Sequence, residues 1–348
     1  MKKINVALIG YGMAGREFHA PPISLNKDFN LKMIMTRNNK NQEDAKKLYP
    51  NIEIITEYND AVNNKDIDLI IIATSNDVHY EYTEKALKAK KHVVCEKPFV
   101  ETYEKAKKLY DLADENGVLL RVFHNRKYDG DIITLKEILN KKDFGRLVSF
   151  NTRFDQYNPS VSNNWRFSET DMAGIFYDLA PHLVHHAVDL FGLPRAVYNK
   201  LYFDKDGSIV DDHFEMILSY DNGFKAFIGA EMLEREPKPR LMVTGTNSTY
   251  VKYGFDSPDS LNEKPNDIYQ TNELRSELIN KDLKIEKIPL YKGQQYMFYD
   301  KVAKDIFIKP VDDIDKELAL NVILIMEMAL KSNKLNKDII IKKWTRNF

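Results

Sequence analysis

Three glycines, in the spacing Gly10-x-Gly12-x-x-Gly15, are the first residues in this sequence with an evident chemical use. They follow the apolar run Ile4–Ile9 without a break, and that context makes a weak pattern much stronger. Gly10 permits a tight turn, Gly12 lets the main chain approach a ligand, and Gly15 permits a helix to pack closely on the strand before it. An anion placed there meets free N–H groups and the positive end of a helix dipole. With Tyr11, Met13 and Ala14 between the glycines, the loop is suited to the pyrophosphate of a dinucleotide. The alternative is a glycine turn that binds nothing. Pro21-Pro22 should end the following helix after little more than two turns.

The end of the second strand decides which dinucleotide. An Asp or Glu about 20 residues beyond the loop binds the ribose 2′-hydroxyl of NAD. Here Met33-Ile34-Met35 runs into Thr36-Arg37-Asn38, with no acid. Thr36 can hydrogen-bond a 2′-phosphate, and Arg37 can pair with it and stack on adenine. The expected cofactor is therefore NADP(H), unless Arg37 is only a solvated loop residue.

Two further groups suit proton transfer. Glu96-Lys97-Pro98 follows the run His92–Cys95, and ligands of open α/β sheets bind beyond the carboxyl ends of strands. Lys97 is thus expected where a nicotinamide ring would lie, able to act in acid–base chemistry when partly desolvated. Alone, a lysine after a strand reads as a surface residue. Asp178 and His182 are four residues apart, which puts them on one side of a helix starting near Asp178, with Pro181 in its first turn. An imidazole beside a carboxylate and a lysine suits an alcohol proton during hydride transfer, although a structural histidine has the same spacing. His182, His185 and His186 could meet around a metal, but no HExxH-type glutamate flanks them, and the expected metal content is none.

The elements that must hold these residues fall into two patterns. Ile4–Ile9, Leu31–Met35, Leu69–Ala73, His92–Cys95 and Val118–Phe123 read as strands, several apolar throughout, as burial on both faces requires. Between them lie helical patterns, the clearest at Thr102–Asn116, where Ala106, Leu109, Tyr110 and Ala113 share a face. Residues 1–122 are expected to form an α/β domain with a doubly wound parallel sheet. In residues 123–348, helices at Gly130–Asn140, Leu179–Phe191 and Ile314–Lys331 accompany strands at Arg146–Tyr157, Ala196–Phe203, His213–Tyr220, Phe224–Met232 and Arg240–Thr246. Asp221-Asn222-Gly223 suits a hairpin, so this part is expected to be α+β with an open antiparallel sheet.

The chain has 348 residues, with 51 Lys plus Arg against 52 Asp plus Glu. That balance gives no basic footprint for nucleic acid and no polybasic membrane signal. Cys95, the one cysteine, stands in an apolar strand and cannot form an intrachain disulfide. No apolar stretch approaches the length of a membrane span, and the run after Lys2-Lys3 is too short for a signal-peptide core. A cytoplasmic protein is expected.

Taken together, Gly10–Gly15, Ala73-Thr74-Ser75-Asn76 through His79, Glu96-Lys97-Pro98, and Gly174 through Asp178 and His182 resemble the glucose-fructose oxidoreductase/inositol dehydrogenase (Gfo/Idh/MocA) family over nearly the whole chain. The resemblance implies a Rossmann domain followed by an open-faced antiparallel sheet, with the active site between them. It implies a catalytic set of Lys97, Asp178 and His182, and a Lys97–Pro98 bond that is often cis. Phe123–Asp131, Trp165-Arg166, Asp211–Phe214 and Tyr250–Gly254 are similar to the NADP-dependent scyllo-inositol dehydrogenase branch. By that likeness Ala73–Asn76, His79, Glu96, Arg126, Trp165 and Arg166 border the cofactor. Asn125, Tyr157 and Asp212 lie near the substrate. Two departures stand out. Met172-Ala173-Gly174 replaces a richer glycine run, and His185 stands where an Asp often binds substrate hydroxyls.

These readings lead to an NADP(H)-dependent dehydrogenase or reductase acting on a secondary alcohol or ketone of a cyclic polyol or sugar. It is expected as a homodimer or homotetramer, because a partner subunit commonly covers the open sheet in such proteins. Two rival readings are a dinucleotide-sensing regulator without turnover and an NADP-linked reductase of a non-polyol substrate. The retained Lys97, Asp178 and His182 argue against the sensor.

Overall fold

The computed structural model describes residues 2–161, 170, 172–255, 269–270 and 274–341, and these divide into two compact units. The first holds residues up to 128 together with 294–320, and the second holds the others. Among the described residues, no helix is long and apolar enough to cross a membrane.

The first unit is built on six parallel strands. They are β1 (Ile4–Ile9), β2 (Phe29–Met35), β3 (Glu53–Ile55), β4 (Leu69–Ile72), β5 (His92–Cys95) and β6 (Leu120–Val122), in the spatial order β3-β2-β1-β4-β5-β6. β4 is buried at every position, as its unbroken apolar run requires. The connections are α1 (Ala20–Leu25), α2 (Asn39–Leu48), α3 (Tyr58–Val62), α4 (His79–Lys88) and α5 (Tyr103–Glu115). Thr102 caps α5 by accepting from Lys105 N–H, and Asn38 caps α2 by accepting from Asn41 N–H.

Pro21-Pro22 do not end the helix after the glycine loop. A π-helical turn, Gly15–His19, comes first, with Ala20 N–H reaching back to Gly15 O, and α1 continues to Leu25. The wider turn re-registers the chain so that both prolines fall in the first turn of α1. Their missing N–H groups cost no helical bond there.

The second unit opens with α6 (Gly130–Lys141) and carries β7 (Leu147–Arg153), α7 (Ile175–Phe191), β8 (Ala196–Tyr202), β9 (His213–Ser219), β10 (Lys225–Glu231), β11 (Leu241–Gly245), β12 (Ser248–Lys252), β13 (Ser276–Asn280) and β14 (Ile285–Lys287). After α8 (Met297–Phe307) and α9 (Ile314–Leu335), a short β15 (Ile339–Ile340) closes the sheet order β14-β13-β12-β11-β7-β10-β9-β8-β15. The hairpin at Asp221-Asn222-Gly223 joins β9 to β10, with Gly223 at φ +81°. The sheet is not wholly antiparallel, because β7 and β10 pair in parallel. The chain leaves β7 and passes through α7, β8 and β9 before β10. A connection of that length can bring a strand back in the same direction, as a hairpin cannot. Helix α7 begins at Ile175, a turn earlier than the residue pattern indicates, so Pro181 lies in its interior.

Alternation along the strands defines two faces. Phe214, Met216 and Leu218 of β9 and Ala226, Ile228 and Ala230 of β10 are buried, and α7 packs on these two strands. The opposite face carries a register row of Tyr198, Ile217, Phe227, Asn151 and Met242, all half-buried.

In the first unit, residues 294–320 return to the Rossmann sheet. Phe298, Tyr299, Val302 and Ala303 of α8 join the core formed by Ile4, Val6, Leu8, Ile71 and Phe123. Arg121, on β6 and almost fully buried, bonds Asp305 at 2.8 Å and Asp313 at 2.8 Å.

Candidate active site

In the first unit, the candidate residues lie at one edge, the carboxyl ends of the parallel strands. Gly10–Gly15 follows β1, Thr36 and Arg37 follow β2, Ala73–Asn76 follows β4, and Glu96-Lys97 follows β5. Asn125 and Arg126 form a 3₁₀ turn just after β6.

The three glycines have different neighbours. Gly10 has φ +100°, and a Cβ there would lie 2.3 Å from Ala73 O. A Cβ on Gly15 would lie 2.1 Å from Gly10 O. Both positions are filled by the protein's own main chain. A Cβ on Gly12 would meet nothing within 4 Å. That open cradle, at the start of a helix whose Arg16 N–H already bonds Gly12 O, fits a pyrophosphate approaching the main chain. Tyr11 is buried, with its hydroxyl towards Asp44, whereas Met13 is exposed.

At the end of β2, Thr36 is buried and Arg37 is exposed. The Arg37 guanidinium donates to Thr56 O at 3.2 Å and to Glu57 at 3.2 and 3.3 Å. Glu57 carries no motif, and only the register of β3 beside β2 explains its place.

The turn that presents Lys97 is clamped from several sides. The Lys97–Pro98 peptide is cis. His79, fully buried, donates from Nδ1 to Pro98 O at 2.8 Å, and its burial lowers its pKa. Lys97 N–H donates to Glu96 Oε2 at 3.0 Å. Burial alone would raise the Glu96 pKa, but the hydrogen bond from His19 and the charge of Lys97 outweigh it and hold the group below its ordinary value. His19 Nε2 lies 2.9 Å from Glu96 Oε1, and His19 Nδ1 contacts the Tyr299 hydroxyl. Neither His19 nor Tyr299 stands out in the sequence. The available signal is a histidine placed one residue before Ala20-Pro21-Pro22.

In the second unit, Asp178, His182 and His185 share one stripe of α7 at i, i+4 and i+7. Asp178 is half-buried, and His182 and His185 are buried. Asp211 sets the start of this helix, because its Oδ2 accepts from Phe176 N–H at 2.6 Å and its carbonyl accepts from Ile175 N–H. A Cβ on Gly174 would lie 2.2 Å from Asp211 Oδ1, so the helix entry needs a glycine. Desolvation pushes the Asp211 pKa up to about 7. Asp212 turns the other way and accepts from Asp204 N–H and Lys205 N–H at 2.9 and 3.1 Å. Tyr157 is exposed in a bridge to Leu233, and its hydroxyl accepts from Arg235 at 2.8 Å. Trp165 and Arg166 lie outside the described residues. Among the described residues, no group of three or more His, Cys, Asp or Glu side chains is arranged to hold a metal. Cys95 is fully buried in β5.

A parallel sheet with an open glycine loop after its first strand defines a dinucleotide-binding class of protein. Residues 4–124 match the oxidoreductase family with an NAD-binding Rossmann fold, and residues 132–251 match the GFO/IDH/MocA C-terminal domain. The chain is 30% identical to the scyllo-inositol 2-dehydrogenase (NADP(+)) IolW of Bacillus subtilis, over 97% of this chain and 96% of that protein. It is 39% identical to the uncharacterized oxidoreductase YdgJ of Escherichia coli over 73% of this chain and 72% of that one. The solved structure of yvaA from Bacillus subtilis superposes with a TM-score of 0.91 at 31% identity, covering 98% of this chain and 99% of that one. The chain belongs to the Gfo/Idh/MocA oxidoreductase family.

Proposed function

We propose that this oxidoreductase uses NADP(H) and interconverts a secondary alcohol and a ketone on a cyclic polyol or sugar, scyllo-inositol and its ketone among them. The observation that carries the cofactor choice is the end of β2. Thr36, Arg37 and Asn38 offer a hydroxyl, a guanidinium and an amide there, with no acid in the chain segment. Arg37 is held by an exposed pair with Glu57, of a kind worth about 0–1 kcal/mol. A 2′-phosphate offers that guanidinium a stronger, charge-assisted partner. The NADP(+) in the name of the Bacillus subtilis relative supports the same reading.

The nicotinamide, when bound, supplies or accepts the hydride. In oxidation His182 takes the hydroxyl proton with Lys97 assisting, and Asp178, one helical turn before, orients the imidazole. Asn125, Tyr157 and His185 offer polar contacts to the substrate, and Asp212 shapes the loop before β9. The half-buried row Tyr198–Ile217–Phe227–Asn151–Met242, apolar at most positions, supports assembly as a homodimer or homotetramer, and a monomer in sedimentation would contradict this. The single buried thiol suits the cytoplasm.

Parallel fluorescence titrations with NADPH and NADH test the cofactor choice. NADPH should bind at least about tenfold tighter, and Arg37→Ala should remove most of that preference while leaving NADH binding in place. Tighter binding of NADH by the wild type contradicts the proposal.

A further inference from the structure

The π-helical turn Gly15–His19 does more than accommodate two prolines. It carries His19 into the interior of the first unit, where the ring is fully buried. The ring lies 4.2 Å from that of Phe123. Its two nitrogens meet two different elements: Nε2 meets Glu96 beyond β5, and Nδ1 meets Tyr299 on α8. The ionised Glu96 carboxylate only accepts hydrogen bonds, so Nε2 donates. The other oxygen of the same carboxylate accepts the Lys97 N–H at 3.0 Å. A chain of polar contacts thus runs from the helix behind the glycine loop, through His19 and Glu96, to the main chain of Lys97. Tyr299 is buried, and burial raises its pKa well above the ordinary phenol value, so it stays a neutral hydroxyl.

We propose that His19 is a positioning residue: it fixes the Glu96 carboxylate, and through it the turn that presents Lys97, to the helix that follows the glycine loop. The proposal rests on the reading of Lys97 as the residue that assists proton transfer. Without the hold of His19, Glu96 keeps its bond to Lys97 N–H but loses the anchor that sets its rotamer. Misplacement of a proton-transfer group by about 1 Å costs on the order of 100-fold in rate.

Two conservative variants separate positioning from packing. The glutamine amide reaches as far as ring Nε2 and can donate to Glu96, whereas asparagine reaches only as far as Nδ1. His19→Asn should lower kcat about 100-fold, and His19→Gln should restore it to within about threefold of wild type. The Kd for NADPH should change far less than kcat in both, because the open main chain at Gly12 is unaltered and Glu96 keeps its bond to Lys97 N–H. Wild-type kcat in His19→Asn, or equal losses in both variants, overturns the role.

A second arm needs no substrate. Acetylation of Lys97 in the folded full chain by an N-hydroxysuccinimide ester, read by peptide mass spectrometry, should change at least about threefold in His19→Asn and revert in His19→Gln. If the wild type turns over no alcohol or ketone, the functional reading fails and this arm decides alone, with equal labelling in all three proteins overturning the role of His19. Should His19→Asn not fold, Tyr299→Phe, which deletes one hydroxyl and keeps the ring, replaces it. Its expected loss is about tenfold in kcat, with altered Lys97 labelling, and no change in either overturns the proposal.

Discussion

Two sites of buried carboxylates, one beside β6 in the first unit and one at the start of α7 in the second, follow opposite electrostatic plans. In the first, Arg121 is bonded to Asp305 and Asp313, while Lys127 and Lys301 hold Asp315 at 2.6 and 3.1 Å. Burial would raise the Asp315 pKa, but the two lysines outweigh it and hold the carboxyl well below its usual range. In the second, Asp211 is bonded to main-chain N–H groups at the start of α7, with Asp212 beside it, and burial prevails. The difference separates two tasks. The charged cluster fastens a returning segment to the Rossmann sheet. The Asp211 cap sets where a helix begins, and with it where Asp178 and His182 fall along that helix.

The largest effect should come from breaking the charged cluster. Arg121→Met leaves three carboxylates without their buried guanidinium and should cost the first unit about 3–5 kcal/mol in urea unfolding. A loss below about 1 kcal/mol would mean that the return segment is held by its apolar contacts instead.

Next comes the glycine pair. Gly10→Ala places a Cβ 2.3 Å from Ala73 O at φ +100° and should cost about 2–4 kcal/mol. Gly12→Ala meets no neighbour and should change stability by less than about 0.5 kcal/mol while weakening NADPH at least about tenfold. Equal stabilities of the two variants would remove the distinction between a structural and a ligand-facing glycine.

The smallest effect is expected from the opposite pH responses of Asp315 and Asp211. Asp315 has a depressed folded pKa, so the stability it contributes is present above the unfolded value near pH 4 and is lost as pH falls below it. Asp211 has a raised folded pKa, so its folded state binds the extra proton. The stability it contributes is complete below about pH 4 and is lost as pH rises towards about 7. Asp211→Asn should flatten the stability profile between those values by about 1–2 kcal/mol and leave the acid limb intact. An unchanged profile would show that Asp211 is ionised throughout.

The sequence expresses the first unit's site because its residues follow strands with local signatures. β1 and β5 run over the expected residues from end to end, and the glycine loop and Lys97 follow them directly. Thr102 as the cap of α5 and Gly223 in its hairpin are equally local. What does not show locally depends on distant residues. His19 gains its role only because a π turn directs it towards Glu96 and Tyr299, 77 and 280 positions away. Asp211 caps a helix 35 residues earlier, so the periodic pattern alone places the start of α7 too late. The parallel pairing of β7 with β10 is a property of strand order, which no hydrophobic period encodes. The return of residues 294–320 brings Asp305 and Asp313 to Arg121, which reads in the sequence as an ordinary strand residue.

In the proposed NADP(H)-linked dehydrogenase, Lys97 and His182 handle the substrate proton. The most direct test measures NADP(+) reduction by a panel of cyclic polyols and sugars, with wild type and Lys97→Ala side by side, together with NADPH binding by both. Wild-type turnover with at least one secondary alcohol, a loss of about 100- to 10,000-fold in Lys97→Ala, and NADPH affinities within about twofold are expected. Equal turnover by the two proteins would contradict that role of Lys97.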